Sequence, residues 1–182
     1  MLSLTNNAVK LVIFTVLMVN TEAHTWAKTV KTGKTRSTTL QFYFHDTVSG
    51  KTPTVIPVAQ PTHSTRYPSG FGMLMMADDP LTTGTDLKTK MVGRAQGLYG
   101  SACQDEVGLI MVLSYNFIDG PYNGSSISIM GRNSVMHPVR EMPVVGGTGL
   151  FRMARGYALA HTFSFDLKTG DAIVGYNITI VH

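Results

Sequence analysis

Short apolar runs, broken by clusters of glycine, proline and aspartate, are the feature that most restricts how this chain can fold. From Leu40 onward, no stretch of twelve residues shows a clean helical period of 3.6. Strand-like runs occupy residues 39–46, 53–59, 70–77, 90–102, 106–118, 125–132, 139–145, 150–166 and 172–181. Turn signals separate them at residues 49–51 (SGK), 78–86 (DDPLTTGTD), 119–124 (DGPYNG), 146–149 (GGTG) and 168–171 (KTGD). The pattern predicts an all-β fold.

Strand length helps to choose between the two antiparallel architectures that this pattern allows. Eight or nine strands joined by short turns fit either a sandwich or a closed barrel. Several runs are longer than ten residues, and in an open sheet such strands would expose long unpaired edges. Closure removes those edges, so the pattern favours a barrel.

Alternation along the first run places an acid at the end of an apolar row. Leu40, Phe42, Phe44 and Asp46 share one face, because side chains on a strand alternate between its two sides. A charge in that place is either a turn former that faces water or an acid at the mouth of a cavity. Residue patterning alone leaves both interpretations open.

A second row, late in the chain, consists of small side chains. Ala158, Ala160, Thr162 and Ser164 share one face of the run over residues 150–166. Small residues inside a barrel leave space, and the interior of an eight-stranded barrel can hold one small ligand. The row therefore predicts a ligand pocket.

The first residues have the layout of a secretory signal peptide. A lysine precedes the nine-residue apolar run LVIFTVLMV, and a small residue, Ala23, stands where cleavage is expected. The run is too short to span a bilayer, so no membrane association is expected. The predicted organisation is a signal peptide over 1–23, an arm over 24–38 and a barrel domain over 39–182, in a secreted protein.

Secretion gives meaning to two sequons for N-linked glycans. Asn123 stands in Asn-Gly-Ser within a turn composition, and Asn177 stands in Asn-Ile-Thr within an apolar alternating segment. Both are expected glycosylation sites, and burial would mask the second. The only cysteine is Cys103, so no intramolecular disulfide can form.

The glycine cluster GGTG does not have the spacing of a nucleotide-binding loop. A dinucleotide loop needs G-x-G-x-x-G with the last glycine opening a helix, yet the sixth position from Gly147 is Arg152. The residues that follow alternate as a strand does. We interpret GGTG as a tight turn in which glycines adopt positive φ.

Histidine spacing and charge argue against two further classes of site. The six histidines, at 24, 45, 63, 137, 161 and 182, form no H-x-H or H-x-x-x-H pair, so neither a metal nor a cofactor is expected. The net charge of +4 comes from scattered residues with no interleaved aromatics. Nucleic-acid binding is therefore not expected either.

Three segments carry a family resemblance. FYFHDTVSGKTPT, GRAQGLYGSA and GRNSVMHPVREMPVVGGTGLFRMARGYALA are similar to the dirigent proteins of plants, and the likeness runs from about Leu40 to the C-terminus. The resemblance implies an eight-stranded antiparallel β-barrel related to allene oxide cyclase, secreted to the apoplast and cell wall. Such barrels usually pack as trimers, so a homotrimer or a homodimer is expected.

The resemblance also implies a function without an oxidative centre in the barrel itself. In the best-known members, a separate extracellular oxidase of laccase or peroxidase type makes phenoxy radicals from a monolignol such as coniferyl alcohol. The barrel then holds two radicals so that coupling gives one lignan enantiomer. Orientational control of this kind is what a fitted cavity can supply. We therefore expect a phenolic substrate or radical as ligand.

The family's site residues fall on particular positions of this chain. The acid is Asp46 in FHDT, the tyrosine is Tyr99 in GLYG and the arginine is Arg140 in PVRE. Asp46, with its pKa raised by an apolar wall, is expected to protonate or hydrogen-bond a quinone methide oxygen. Arg140 and Tyr99 are expected to position phenolic oxygens. The alternative is that Asp46 caps a turn and Arg140 is a partly exposed rim residue. Further substrate contacts are expected from Thr162, Asn133 and Phe44.

One position departs from the lignan-forming pattern. That branch has a second aspartate seven residues before the arginine, where this chain has Asn133. An amide cannot deliver a proton at this step. Two alternatives to radical coupling follow: a cyclising dehydratase of pterocarpan-synthase type with Asp46 as general acid, and a carrier barrel that only binds apolar phenolics.

Overall fold

A computed structural model describes residue 33, residues 35–62 and residues 69–182. The expected signal peptide lies outside these residues, as does most of the expected arm. Nine strands form the fold: β1 (Ser37–Asp46), β2 (Val55–Ala59), β3 (Leu74–Thr82), β4 (Met91–Ser101), β5 (Leu109–Phe117), β6 (Ser126–Asn133), β7 (Arg140–Thr148), β8 (Arg155–Phe165) and β9 (Ala172–Val181). The helical elements in the described ranges are two 3₁₀ turns, at Gly120–Tyr122 and Gly149–Phe151. Neither they nor any other described helix is long and apolar enough to cross a membrane.

The strands form one closed antiparallel barrel. Their order is β1-β9-β8-β7-β6-β5-β4-β3-β2, and an additional pairing of β1 with β3 closes the ring. β1 pairs with β3 at Leu81 and Thr82, while β2 pairs with the other end of β3, from Leu74 to Ala77. β1 and β2 therefore share one position in the barrel wall, which gives eight positions in all. The prediction of an eight-stranded antiparallel barrel is confirmed.

The core fills the barrel from its inward-facing rows. Leu40, Phe42 and Phe44 are buried, as their alternation predicted. Phe42 packs against the rings of Tyr115 and Tyr176, with centroids 5.7 and 6.0 Å apart. Packed aromatic pairs of this kind add to the free energy gained from burial alone.

The turn predicted from residue 78 is wrong over residues 78–82, because the segment DDPLT continues β3. The N–H of Asp78 bonds to the carbonyl of Thr54 on the side where β1 and β2 lie. Backbone N–H groups alternate along a strand, so the nitrogen of Pro80 points to the same side. No strand residue of β1 or β2 pairs with Pro80, because the pairings stop at Ala77 and resume at Leu81. The missing N–H of proline therefore costs the sheet nothing here.

The prediction of a tight turn at GGTG is also wrong. Gly146, Gly147 and Thr148 belong to β7. A Cβ at Gly147 would lie 2.7 Å from the carbonyl oxygen of Ser126, so glycine is needed there for close approach of two strands. The chain reverses later, where Gly149 and Met153 adopt positive φ.

Candidate active site at one end of the barrel

Five of the expected site residues lie at the same end of the barrel. β1, β4, β6 and β8 run towards this end and β7 starts from it, as their registers show. A residue near the end of one strand is therefore brought close to residues near the ends of the others. The five are Asp46, Tyr99, Asn133, Arg140 and Thr162.

Asp46 and Tyr99 form a hydrogen-bonded pair. The Tyr99 hydroxyl donates to Oδ2 of Asp46 across 2.9 Å. The other carboxylate oxygen, Oδ1, is buried and has no hydrogen-bond partner among the described residues. Burial, opposed by the Tyr99 hydrogen bond, raises the pKa of Asp46 to about 6. Burial and the nearby Asp46 charge raise the pKa of Tyr99 as well, so Tyr99 stays a donor.

Arg140 is the centre of a second polar cluster. Its Nε donates to Oδ1 of Asn133 across 3.1 Å, and its Nη1 donates to the Thr162 hydroxyl across 2.9 Å. Arg140 is 5% exposed, so it is not the partly exposed rim residue of the alternative interpretation. Burial lowers the pKa of its guanidinium. The ion pairs found in the described part of the chain do not include it.

The two polar clusters face the same barrel interior, because the charges of Arg140 and Asp46 both act on the buried hydroxyl of Tyr176. The pKa of that hydroxyl is raised mainly by burial; the Asp46 charge raises it further and the Arg140 charge lowers it. Phe44 lies beside this hydroxyl's ring, with centroids 5.9 Å apart, and is itself almost fully buried. The expected substrate contact Phe44 thus belongs to the aromatic packing beneath the polar groups.

Asp79 is a buried acid that the sequence interpretation missed. It points inward from β3, has no exposed surface, and accepts a hydrogen bond from the Thr54 hydroxyl across 2.5 Å. Burial first, and then the charge of Asp46, raise the pKa of Asp79 to about 8. Extending the alternation of Met75 and Ala77 through DDPLT would have placed Asp79 on the inner face.

The loop between β1 and β2 holds these acids in place. Asp171, from the turn before β9, accepts hydrogen bonds from the backbone N–H groups of Val48 and Ser49, and from the Ser49 hydroxyl. At the neck of the loop, the N–H of Thr47 donates to the Thr54 hydroxyl oxygen across 3.1 Å. The loop therefore links Asp171, at the surface, to Thr54, which bonds Asp79.

The family model described as "Dirigent-like protein" matches residues 37–181, which span the whole barrel. This chain is a member of the dirigent-like family.

Curated relatives of this dirigent-like chain cover most of its length. It is 62% identical to Dirigent protein 23 of Arabidopsis thaliana over 160 residues, 87% of this chain and 86% of the relative. It is 51% identical to Pterocarpan synthase 1 of Glycyrrhiza echinata over 146 residues, 80% of this chain and 78% of the relative.

A solved structure agrees with the fold of this dirigent-like chain. The pterocarpan synthase dirigent protein GePTS1 superposes with a TM-score of 0.77 at 47% identity, over 84% of this chain and 88% of that one. The two proteins therefore share the arrangement of the barrel strands.

The two sequon asparagines both lie on the surface of the dirigent-like barrel. Asn123 follows the 3₁₀ turn after β5 and is exposed. Asn177 faces outward from β9 and is exposed too, so it is not masked within the barrel. Among the described residues, no group of three or more His, Cys, Asp or Glu side chains could hold a metal ion.

Proposed function

We propose that this dirigent-like protein is a cyclising dehydratase that forms and captures a quinone methide, with Asp46 as its general acid. One observation carries the proposal. Asp46 is a partly buried carboxyl that can be protonated near neutral pH, whereas the position of the second acid is Asn133, which is bonded to Arg140. Because the second acid of the lignan-forming pattern is replaced by an amide, the site fits loss of water, which needs one proton donor, better than the two-acid arrangement of that pattern.

The proposed reaction closes a ring with net loss of one water. Asp46 gives its proton to a hydroxyl on a carbon conjugated with a phenol, the carbon–oxygen bond breaks and water leaves. The phenol loses its own proton, which gives the quinone methide. A second phenolic hydroxyl of the same molecule then attacks the electrophilic carbon. Its proton returns to Asp46 and the first phenol is protonated again.

The remaining polar groups would orient the substrate. Arg140 keeps free N–H donors beyond its bonds to Asn133 and Thr162, because a guanidinium has five. Such donors stabilise the negative charge that develops on the phenolic oxygen as water leaves. Tyr99 holds one oxygen of Asp46, which turns the other towards the interior.

The relatives support this choice of reaction class. Pterocarpan synthase 1 is about half identical to this chain over 80% of its length, and pterocarpan synthase GePTS1 shares its barrel. The substrate class we propose is accordingly a hydroxyisoflavan. Direction of phenoxy-radical coupling, with oxidation supplied by a laccase or peroxidase, stays a prediction that the same experiment tests.

The first prediction concerns the purified protein and the variant Asp46→Asn. Each is incubated with hydroxyisoflavans and monolignols, with and without a one-electron oxidant, and products are resolved by chiral chromatography. We expect ring-closed product without oxidant, and a loss of about 100-fold or more in rate for Asp46→Asn, since general acids contribute about 10²–10⁴-fold.

Asp119→Asn is the matched control, because Asp119 pairs with Lys90 at the opposite end of the barrel and leaves the site untouched. Enantiomeric excess only with oxidant would contradict the dehydratase and support radical coupling. Binding of the phenolics with no conversion in either condition would support the carrier interpretation.

A further inference from the structure

Two carboxyl groups in the barrel interior each have an unsatisfied oxygen. Oδ1 of Asp46 and Oδ2 of Asp79 are both buried, and neither has a hydrogen-bond partner among the described residues. Native proteins rarely leave buried polar atoms unpaired, and those that are unpaired call for an explanation. The charge of Asp46 acts on Asp79, so the two groups influence each other's protonation.

Among the described residues, the cation that acts on this pair is Arg94, whose charge lowers the pKa of Asp79 by less than burial and the Asp46 charge raise it. Arg94 bonds Asp78, the outward-facing neighbour of Asp79, across 2.6 Å. Arg140, bonded to Asn133 and Thr162, is not among the charges that act on either carboxyl. A buried carboxylate without a cation is costly, and two close together are more so, because each opposes ionisation of the other. One of the two therefore retains a proton after the other has lost its own.

The hydrogen bonds of Thr54 show which oxygen of Asp79 can hold that proton. The hydroxyl oxygen of Thr54 accepts from the N–H of Thr47, and its single proton goes to Oδ1 of Asp79, which lies 2.5 Å away. The other possible acceptor, the His45 carbonyl, is 3.5 Å away. Oδ1 of Asp79 is thus an acceptor, and Oδ2 remains for the proton.

We propose that Asp79 is a positioning residue that pairs with Asp46 and keeps one proton on the two carboxyls through neutral pH, so that Asp46 has a proton to give when substrate binds. The inference rests on the proposed function, in which Asp46 is the general acid. Asp79 touches no substrate in this scheme, since it has no exposed surface. It acts through Asp46.

The direction of both pKa shifts agrees with this assignment. The pKa of Asp46 is raised to about 6 and that of Asp79 to about 8, mainly by burial in each case. Between these values the pair carries one proton, and its distribution over the two carboxyls does not depend on pH. The groups that act on the pair from the surrounding elements are Tyr99, Thr54, Asp78, Arg94 and Asp171.

The decisive measurement is the pH profile of ring closure for the wild type and for Asp79→Asn, with a hydroxyisoflavan as substrate. The wild type should hold a level rate between about pH 6 and about pH 8, and lose it above. In Asp79→Asn only Asp46 is left to titrate, so the rate should fall about tenfold per pH unit from about pH 6 onward. Identical profiles for the two proteins would overturn the proposal.

Two further variants separate this role from a merely structural one. Asp78→Asn removes the neighbouring outward carboxyl, the weakest of the causes that raise the pKa of Asp79, so the pH at which the rate falls should drop only slightly, far less than in Asp79→Asn. Thr54→Val removes the hydrogen bond that lowers the pKa of Asp79, so the fall in rate at high pH should begin above pH 8. A general loss of stability could not move this fall in rate to higher pH in Thr54→Val and to lower pH in Asp79→Asn.

Titration of the wild type without substrate keeps the inference independent of any variant's folding. In protein labelled with ¹³C at aspartate carboxyls, we expect one carboxyl to titrate near pH 6 and another near pH 8. No carboxyl titrating above about pH 7 would overturn the pairing, whatever the activity. Both titrations together with no ring closure of any substrate would contradict the proposed function and leave the pair standing.

Discussion

Arg140 shows how one residue can organise a site without an ion pair. Its guanidinium is almost fully buried and its described contacts are neutral: an amide, a hydroxyl and the carbonyl of His137. Burying a charge is costly unless hydrogen bonds replace its hydration. Asn133 supplies the buried bond at Nε, while Thr162 is exposed and its bond can be replaced by water.

The second prediction follows from this difference between the two partners. Asn133→Ala should lower the free energy of unfolding by about 2–3 kcal/mol, because it leaves a charged N–H group buried without an acceptor. Thr162→Val should cost less than about 1 kcal/mol, since water can reach that donor. Equilibrium denaturation of both variants measures the difference, and equal costs would contradict the assigned role of Asn133.

The position of a site residue could be predicted from sequence when neighbouring residues along the chain revealed it, and was missed when a tertiary contact decided it. Asp46 could be placed at a strand end from alternation, and the family resemblance added Tyr99 and Arg140. Asp79 was missed because Asp-Asp-Pro has the composition of a turn. Asp79 is a strand residue because it pairs with Ala95 of β4, and its carboxyl is bonded by Thr54 from the β1–β2 loop. Tertiary contacts of this kind cannot be seen in local sequence.

At the scale of elements, the loop over residues 47–54 is the connection between the surface and the acids. The loop separates β1 from β2, so β3 has no strand partner on this side between Ala77 and Leu81. It also brings Thr54 to Asp79. The loop is held by Asp171, whose hydrogen bonds from Ser49, more than any other cause, lower the pKa of that carboxyl. Anchoring this loop should therefore matter for the site as well as for stability.

The third prediction is that Asp171→Asn loosens the loop. Because the folded-state pKa of Asp171 lies below its ordinary value, the stability that it contributes is present above about pH 4 and is lost as pH falls further. The difference in Tm between the wild type and Asp171→Asn should therefore be constant from pH 7 to about pH 5 and shrink below about pH 4.

Limited proteolysis separates this loop effect from damage to the β8–β9 turn. Trypsin should cut faster after the exposed Lys51 in Asp171→Asn. Asp166→Asn is the matched control, because among the described residues the Asp166 carboxylate bonds only within its own turn, to the N–H groups of Lys168 and Thr169. Faster cleavage at Lys51 in both variants would contradict a specific role for Asp171.

At the scale of the whole molecule, an apolar row crosses the outside of the barrel. Cross-strand registers align one residue from each of five neighbouring strands. Four of the five are 40–51% exposed and the fifth, Leu98, is half-buried. The row consists of Ile56, Met76, Leu98, Val112 and Met130. Contiguous apolar surface of this kind is typical of association sites.

We propose that a second copy of this chain covers the row, in line with the homotrimer or homodimer expected from the family resemblance. Closed homo-oligomers are the usual outcome when one protein buries such a surface. Asn177, on β9, lies four strands away from β5 in the eight-position barrel, so a glycan there would point to the opposite side. Glycosylation at Asn177 is therefore compatible with this assembly.

The last prediction tests that assembly with one charge in the middle of the row. Val112→Lys places an ammonium group among apolar side chains, and an interface that buried it would lose more than the apolar contact, because an unpaired charge is costly to bury. Light scattering coupled to size exclusion should give an oligomer for the wild type and a monomer for the variant. Gln41→Lys, at another exposed position, on β1 outside the row, should leave the oligomer intact. An oligomer that survives Val112→Lys at micromolar concentration would place the interface elsewhere on the barrel.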